Sequence, residues 1–451
     1  MSNLLTSAVI RNEALRQAEN NLVISKLCDT QYNEDFEKKN GEYGKIGNSV
    51  NVRVPILVTG TRNNMAWVAA NSVITENTKL LVVDRSYTIP MSFSDGDLAL
   101  KVLDFSKRYM KQNVINTAAN LDSDIAAAVV NSQIAVASAT SGLGTNGLAA
   151  NQIGTPSAAG YAIGTYGVAI TPDIVLQARQ ILLDQGCPDD GELYGVLSTL
   201  ANRQLVGAQA TLFNPLTEIN KEYRKGFIGT YAGIEWHTSQ SLVNHTNGVQ
   251  PTLVVSAGNL TTGWAEYGTL TVTATAGAIN AGDVFQAAGV FLVNPLTKQP
   301  TATLAQFQVT QGYAIGVTSV QVSPAPISAG QYQNISATIN GVTLSLTGGA
   351  TLGAAGEGLG GVESLVFHRE AIVITSPKLE VPKNEEMAEM ISDEDAPIFR
   401  MRFLRSFDAL GVSGVNGSGG VGSSGPGWVS RLDTIWGVKT AQCSWIIRIR
   451  N

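Results

Sequence analysis

The chain has 451 residues, 44% of them hydrophobic and only 15% charged, with 30 Lys and Arg against 36 Asp and Glu. Roughly two to four domains fit in that length. The net charge of −6 and pI of about 5.3 argue against a protein whose main work is gripping nucleic-acid backbone, and no run reaches the ~18 apolar residues of a membrane span. Charge this far below the usual ~25% leaves polar neutral and apolar surface, which is either extracellular or destined to be covered by neighbours.

Cys28, Cys187 and Cys443 are an odd number at wide separation, with neither a metal spacing nor a disulfide framework, and point to a reducing compartment. The start, MSNLLTSAVIRNEALRQ, does not read as a signal peptide, because Arg11 interrupts the apolar run.

From the N-terminus, Leu5, Ala8, Val9, Leu15, Leu22, Ile24 and Leu27 predict a helix over Leu4–Cys28. Asp29–Asn48 is polar and has little apolar surface with which to fold alone. Residues 1–48 are therefore expected to form an arm that lies on another surface or stays mobile. Ser49–Thr59 and Lys79–Phe93 read as strands, joined by a polar tip, Gly60–Thr78, that carries Arg62, Trp67 and Glu76. The extended hairpin over 49–93 needs outside support, since two strands alone are marginal in water.

Ser94–Gln133 has no proline and predicts one long helix. Leu98, Val102, Phe105 and Tyr109 begin an apolar stripe that Met110, Val114, Ala118, Leu121, Ile125 and Ala128 continue. Ser94 or Asp95 can cap it. About 35 residues of helix span about 50 Å, a beam for sheets to pack against, and the spine is assigned to 94–137. The alternative is two helices broken near Asn113–Asn120.

Residues 138–249 read as mixed α/β. Ser138–Gly167 is a small-residue loop. Gly142, Gly144 and Gly147 form a GxGxxG string, but it follows a helix rather than a strand and reads as a chance match. Thr171–Gln185 is a helix with Pro172 in its first turn and Gly186 as its stop. Leu193–Ser198 is a strand, Leu200–Leu212 a helix and Gly226–Thr238 a strand pair.

Composition then changes. Between Gln250 and Gly361 only Glu266, Asp283, Lys298 and Glu357 are charged. Short alternating strands at Thr269–Thr275, Asp283–Val293, Ala305–Thr310, Gly316–Val322 and Gly341–Leu346 predict a small β-barrel or sandwich inserted as a unit over 250–361. In 362–451 charge returns, with strands at Val362–Ile374, Ile398–Leu410, Leu432–Thr440 and Cys443–Arg450. An acidic connection, Val381–Asp395, and a flexible Gly/Ser loop, Val412–Gly427, lie among them.

No catalytic, cofactor or metal constellation emerges. Cys187 can be paired with His237 only arbitrarily, and no HExxH or CxxC exists. Asp393, Glu394 and Asp395 read as a solvated turn. The N-x-S/T triplets at Asn244, Asn259, Asn334 and Asn416 read as chance, and the six tryptophans form no stacking platform among basic residues.

The order of parts resembles the major capsid proteins of tailed phages. LVFHREAI at Leu365–Ile372, RMRFLRSFDALGV at Arg400–Val412 and SRLDTIWGVKTAQCSWIIRI near the C-terminus resemble their closing strands. Arg431, Asp433 and Gly437 stand in the recurring R-x-D-x-x-x-G pattern. GIEWHTSQSLVNHTNG at Gly233–Gly248 and Ala281–Val309 resemble the approach to, and the central strands of, the barrel inserted in P-twenty-two-like coat proteins.

The resemblance implies an α+β, HK-ninety-seven-type capsid fold with an inserted small β-barrel. It implies a non-enzymatic subunit, without cofactors, that self-assembles in hundreds of copies, as hexamers and pentamers, into an icosahedral shell around double-stranded DNA. A scaffolding protein and a portal protein are the other implied partners, with no sequence-specific nucleic-acid binding and no membrane. The implied place is the virion, with assembly in the host bacterial cytoplasm. It places Arg62, Trp67, Glu76 and Lys79 at intersubunit contacts. The alternatives are a secreted or surface-layer adhesin with an Ig-like β-domain, and an enzyme with an unrecognised site.

Overall fold

The computed structural model describes residues 22–33, 48–54, 76–94, 111–132, 134–135, 152–153, 157–158, 160–209, 229–258, 260, 263–348, 359–379, 387–391, 400–408 and 427–451. The GxGxxG string, the Gly/Ser loop 412–426 and the acidic residues 393–395 lie outside them.

Residues 22–33 are pinned to the body. Helix α1 (Ile24–Leu27) is four residues long, too short to be stable through its own hydrogen bonds. It stands because the Asp122 carboxylate accepts the N–H groups of Val23, Ile24 and Ser25 at 2.8, 3.2 and 3.0 Å, donors that a helix start leaves unpaired. Burial raises the Asp122 pKa, and those donors oppose the rise. Leu22, Ile24 and Cys28 enter a core. Of the two expected alternatives, residues 22–33 thus take the first and lie on another surface, here the chain's own body; of the helix expected over Leu4–Cys28 the described part contains only α1.

Strands β1 (Ser49–Val54) and β2 (Asn77–Val82) form six antiparallel pairs, Ser49 with Val82 through Val54 with Asn77. The expected strand Lys79–Phe93 is in fact two. The chain turns at Val83–Asp84, and β3 (Arg85–Ser94) leaves the hairpin to pair with the C-terminal part of the chain. Ten register pairs there outweigh what a longer free hairpin could offer. Ser94 is therefore the last residue of a strand.

The described part of the beam is α2 (Lys111–Val130). Val114, Ala118, Leu121, Ile125 and Ala128 are buried along one face, as the stripe predicts. The helix runs unbroken through Asn113–Asn120. There Thr117 Oγ1 donates to Asn113 O at 3.0 Å, and Asn120 Nδ2 to Asn116 O at 2.8 Å, so these polar groups turn back onto the helix itself. Residues 95–110 lie outside the description.

Then come β4 (Ile134–Ala135), β5 (Gln152–Ile153), β6 (Tyr161–Ile163), α3 (Pro172–Asp184), β7 (Leu193–Leu197), α4 (Thr199–Gln209), β8 (Thr230–Tyr231), β9 (Ile234–Thr238) and β10 (Asn244–Thr246). The barrel strands are β11 (Thr252–Ala257), β12 (Gly268–Val272), β13 (Val284–Val293), β14 (Pro300–Val309), β15 (Ser319–Ser323) and β16 (Thr343–Leu346). The return comprises β17 (Gly360–Val362), β18 (Ser364–His368), β19 (Ile372–Thr375), β20 (Met387–Ile391), β21 (Met401–Asp408), β22 (Gly427–Thr440) and β23 (Ile446–Ile449).

These strands make three main layers. The barrel closes in the order β11-β12-β15-β14-β13-β16. Its alternating residues point inward, with Leu253, Val255, Leu270, Val272, Phe285, Phe307, Val320 and Leu344 buried. Closure leaves no strand edge open. Its first strand, β11, was not anticipated from the sequence. A six-stranded sheet runs β6-β23-β18-β7-β9-β8, with Val175, Ala178, Ile181 and Leu182 of α3 and Ala201 and Leu205 of α4 in its core. A second sheet runs β19-β22-β21-β20, with β3 also on β22. Pro90 is tolerated in β3 because, among the described residues, that strand pairs with β22 alone.

Gly437 explains part of the R-x-D-x-x-x-G pattern. A Cβ there would lie 2.3 Å from the Val82 carbonyl oxygen, so glycine lets the hairpin's end cross β22. Asp433 of the same pattern accepts from Arg402 Nη2 at 2.7 Å and Arg431 Nε at 3.0 Å, tying β21 to β22.

Candidate functional site at the root of the barrel

The chain enters and leaves the barrel side by side, because Asn244–Thr246 of β10 pair antiparallel with Gly360–Val362 of β17. Glu363 follows at once and is completely buried, as are Arg448 and Arg450 of the last strand and its end. Arg450 Nε donates to Glu363 Oε1 at 2.9 Å, and Arg448 Nε faces Oε2 at 3.0 Å. Tyr166 OH donates a short hydrogen bond to the same carboxylate, with the Arg450 guanidinium 5.2 Å over its ring.

Burial alone would push the Glu363 carboxyl up. Arg448, then Arg450, His245 and Tyr166, outweigh it and hold the pKa at about 2. The carboxylate is therefore ionised at neutral pH. Burial, and then the Glu363 charge, push the Tyr166 phenol well above its ordinary value.

The two arginines also reach across the joint. Arg448 Nη1 donates to Val130 O, at the C-terminus of α2, where the helix dipole favours a cation. Its Nη2 donates to Gly282 O in the barrel at 2.7 Å, and Arg450 Nη1 donates to Thr347 Oγ1 at the barrel's exit, also at 2.7 Å. Gly282 must be glycine: its φ is +95°, and a Cβ would lie 2.3 Å from Val130 O. Beside it, His245 bridges Asn131 Oδ1 through Nδ1 at 2.8 Å and Asp283 Oδ1 through Nε2 at 3.1 Å. Asp283 accepts from Gly248 and Asn280 N–H as well. Gln308 Nε2 donates to Val129 O and Val130 O, and Gln306 Oε1 accepts from Ala162 N–H at 2.8 Å.

Barrel, helix and closing strand thus share one polar joint. On another side, Lys439 Nζ of β22 meets Glu266 Oε1 and Tyr267 OH at 2.8 Å each, and Asn77 Nδ2 of the hairpin donates to Tyr332 OH at 2.7 Å. Buried hydrogen bonds are directional, so fastening at separated points fixes the barrel's angle as well as its position. This arrangement holds the barrel against the helix and the closing strand.

The residues expected at contacts fall apart. Arg62 and Trp67 lie outside the described residues, and Glu76 is exposed just before β2. Lys79, expected at an intersubunit contact, turns into its own chain instead. It is only 6% exposed, and its Nζ donates to Thr440 O at 3.3 Å, because β2 lays that side chain inward against β22. Cys187 is no match for His237 as a nucleophile: burial, then Asp190 and Asp189, push its thiol up to about 12.

Among the described residues one trio has metal-type donors, Asp190, Glu192 and His368. His368 Nδ1 accepts from Glu370 N–H, and its Nε2 faces Asp190 Oδ1 at 3.2 Å, so both ring nitrogens already have partners.

Sequence reading missed the joint, although signals existed. Arg448 and Arg450 alternate with isoleucines in WIIRIR, which puts both on one face of a strand. Asp283 is one of four charges in the long neutral stretch. What was missing was the partner, since Glu363 is distant in sequence from both Asp283 and Arg448.

A family model described as "P22 coat protein - gene protein 5" matches residues 158–396. No curated protein matches the chain. Among solved structures, one titled "Mycobacterium phage Che8" is 11% identical, covering 95% of this chain and 90% of that one, with a TM-score of 0.44. "Capsid of Ralstonia phage GP4" is 11% identical over 94% and 89%, with a TM-score of 0.43. "CUS-3 coat protein I-domain" is 22% identical, covering 22% of this chain and 96% of that one, with a TM-score of 0.17.

Proposed function

This chain belongs to the P22 coat protein family, and from that premise we propose how its parts are used. It is a major capsid protein, a structural subunit of a bacteriophage shell. In our reading the shell encloses double-stranded DNA, its subunits are grouped as hexamers and pentamers, and a scaffolding protein and a portal protein take part in building it in the host cytoplasm. The acidic balance suits a container that must not adhere to packaged DNA. No catalytic step belongs to this reading.

The observation that carries it is the family match, whose span takes in the whole barrel together with Tyr166, His245 and Glu363 of its joint. The joint supports a division in which 250–361 is an inserted barrel domain, bounded by the β10–β17 stalk. The other proposed parts are an arm (1–48), a hairpin (49–93), a spine (94–137), an apical region (138–249) and return strands (362–451). Arg62, Trp67 and Glu76 remain the proposed contacts on a neighbouring subunit; Lys79 serves within its own chain.

Negative-stain microscopy of the purified full chain tests this. Closed particles of uniform size are expected. Flat lattices would favour a surface-layer subunit, and a small oligomer at high concentration would refute a shell protein that assembles by itself.

A further inference from the structure

The seam where Lys439 meets Glu266 and Asn77 meets Tyr332 holds a cavity of about 250 Å³. The barrel contributes Trp264, Pro295 and Tyr332 to its wall, and the body contributes Tyr161, Gln185 and Trp445. The two sides are held close. Gly186, the stop of α3, has a φ of +75°, and a Cβ there would lie 3.2 Å from Pro295 Cγ.

Gln185 is only 4% exposed. Its Oε1 accepts from Tyr161 OH at 2.9 Å, while its Nε2 has no hydrogen-bond partner among the described residues. A buried donor left unmet is costly, so this position favours a bound acceptor. Among the described residues two charged side chains line the cavity, Lys79 and Glu266, and both are drawn onto partners in the chain itself. Lys79 Nζ donates to Thr440 O, and Glu266 Oε1 takes Lys439 Nζ and Tyr267 OH.

We propose that this cavity binds a flat, uncharged aromatic molecule carrying a hydrogen-bond acceptor, with its rings among Tyr161, Trp264 and Trp445 and its acceptor on Gln185 Nε2. Sites for small molecules combine apolar and aromatic walls with a few placed polar groups that fix orientation. A carboxamide nitrogen can only donate, which selects an acceptor. A charge on the ligand would be buried without a partner of its own, which selects a neutral molecule. A cavity of ~150 Å³ takes one benzene ring, so this one has room for a fused pair. Because its wall is drawn from barrel, body and hairpin, the site exists only while the three are docked. The proposal does not depend on the shell-forming reading.

Quinoline is the probe: a fused ring pair, uncharged at neutral pH, with one acceptor nitrogen. Indole is of similar size and offers a donor in its place. Saturation-transfer NMR titrations on the purified full chain should give quinoline a Kd on the order of 0.1–1 mM, and indole a Kd roughly tenfold higher. Gln185→Glu keeps an acceptor for Tyr161 and removes the donor, so it should abolish that preference. Ala265→Leu narrows the cavity from the barrel side and should weaken both probes by roughly tenfold or more. Equal affinity of the two probes for the wild-type chain overturns the proposal, and this comparison stands even where a variant does not fold. Absence of quinoline binding up to about 10 mM also overturns it and leaves water as the occupant. Unchanged quinoline binding to folded Ala265→Leu places the probe elsewhere on the protein and overturns it as well.

Discussion

Glu363→Gln is the sharpest perturbation of the barrel joint. Glutamine keeps the size and one acceptor oxygen for Arg450 Nε, but it removes the charge that two buried guanidinium groups share. Breaking a buried pair by deleting one partner costs ~3–5 kcal/mol. A second estimate comes from the carboxyl, held at about 2 against an ordinary 4.5, a difference worth roughly 3 kcal/mol. The two agree. Because the folded pKa lies below the unfolded one, the contribution is complete above pH 4.5 and is lost as pH falls towards 2.

Denaturant unfolding of the unassembled subunit, followed by tryptophan fluorescence, should therefore show a loss of about 3 kcal/mol at pH 7. The gap between mutant and wild type should narrow through the acid range. Adding Arg450→Met to Glu363→Gln should cost less than the two changes separately, because each alone strands a charge that the other no longer needs. Equal stability of Glu363→Gln and wild type at pH 7 would refute an ionised, load-sharing carboxylate at the barrel's root.

Gly437→Ala should destabilise by about 2 kcal/mol or more in the same unfolding assay, because the obstructing atom, Val82 O, is backbone. Gly207→Ala, on α4 with open space around it, should instead stabilise by about 0.5–1 kcal/mol. Asp122→Asn should weaken the anchorage of residues 22–33, and hydrogen exchange at Val23, Ile24 and Ser25 should quicken by roughly tenfold. Lys79→Ala should lower subunit stability by about 1–2 kcal/mol through lost packing and its bond to Thr440, whereas Glu76→Ala should stay within about 0.5 kcal/mol of wild type.

Period and composition were enough to read much of this protein from its sequence. The buried stripe of α2, the helix starting at Pro172 and five of the six barrel strands follow from which residues alternate, at 3.6 or at 2. The barrel strands, from Thr252 to Leu346, fall inside the stretch where charge is sparse. These are local properties, and each stretch of chain carries them by itself. What only the tertiary structure decided is pairing between distant stretches. That β3 abandons its hairpin for β22 depends on a strand more than 300 residues downstream. That Lys79 is buried depends on β22 lying beneath it, and that α1 exists at all depends on Asp122. The barrel joint is the clearest case: Tyr166, His245, Asp283, Glu363, Arg448 and Arg450 are unremarkable singly, and their meaning comes from meeting where water is excluded. Local patterning says which face of an element is apolar, but a buried charge is stabilised only by a specific partner, and the chain brings partners together only when it closes on itself.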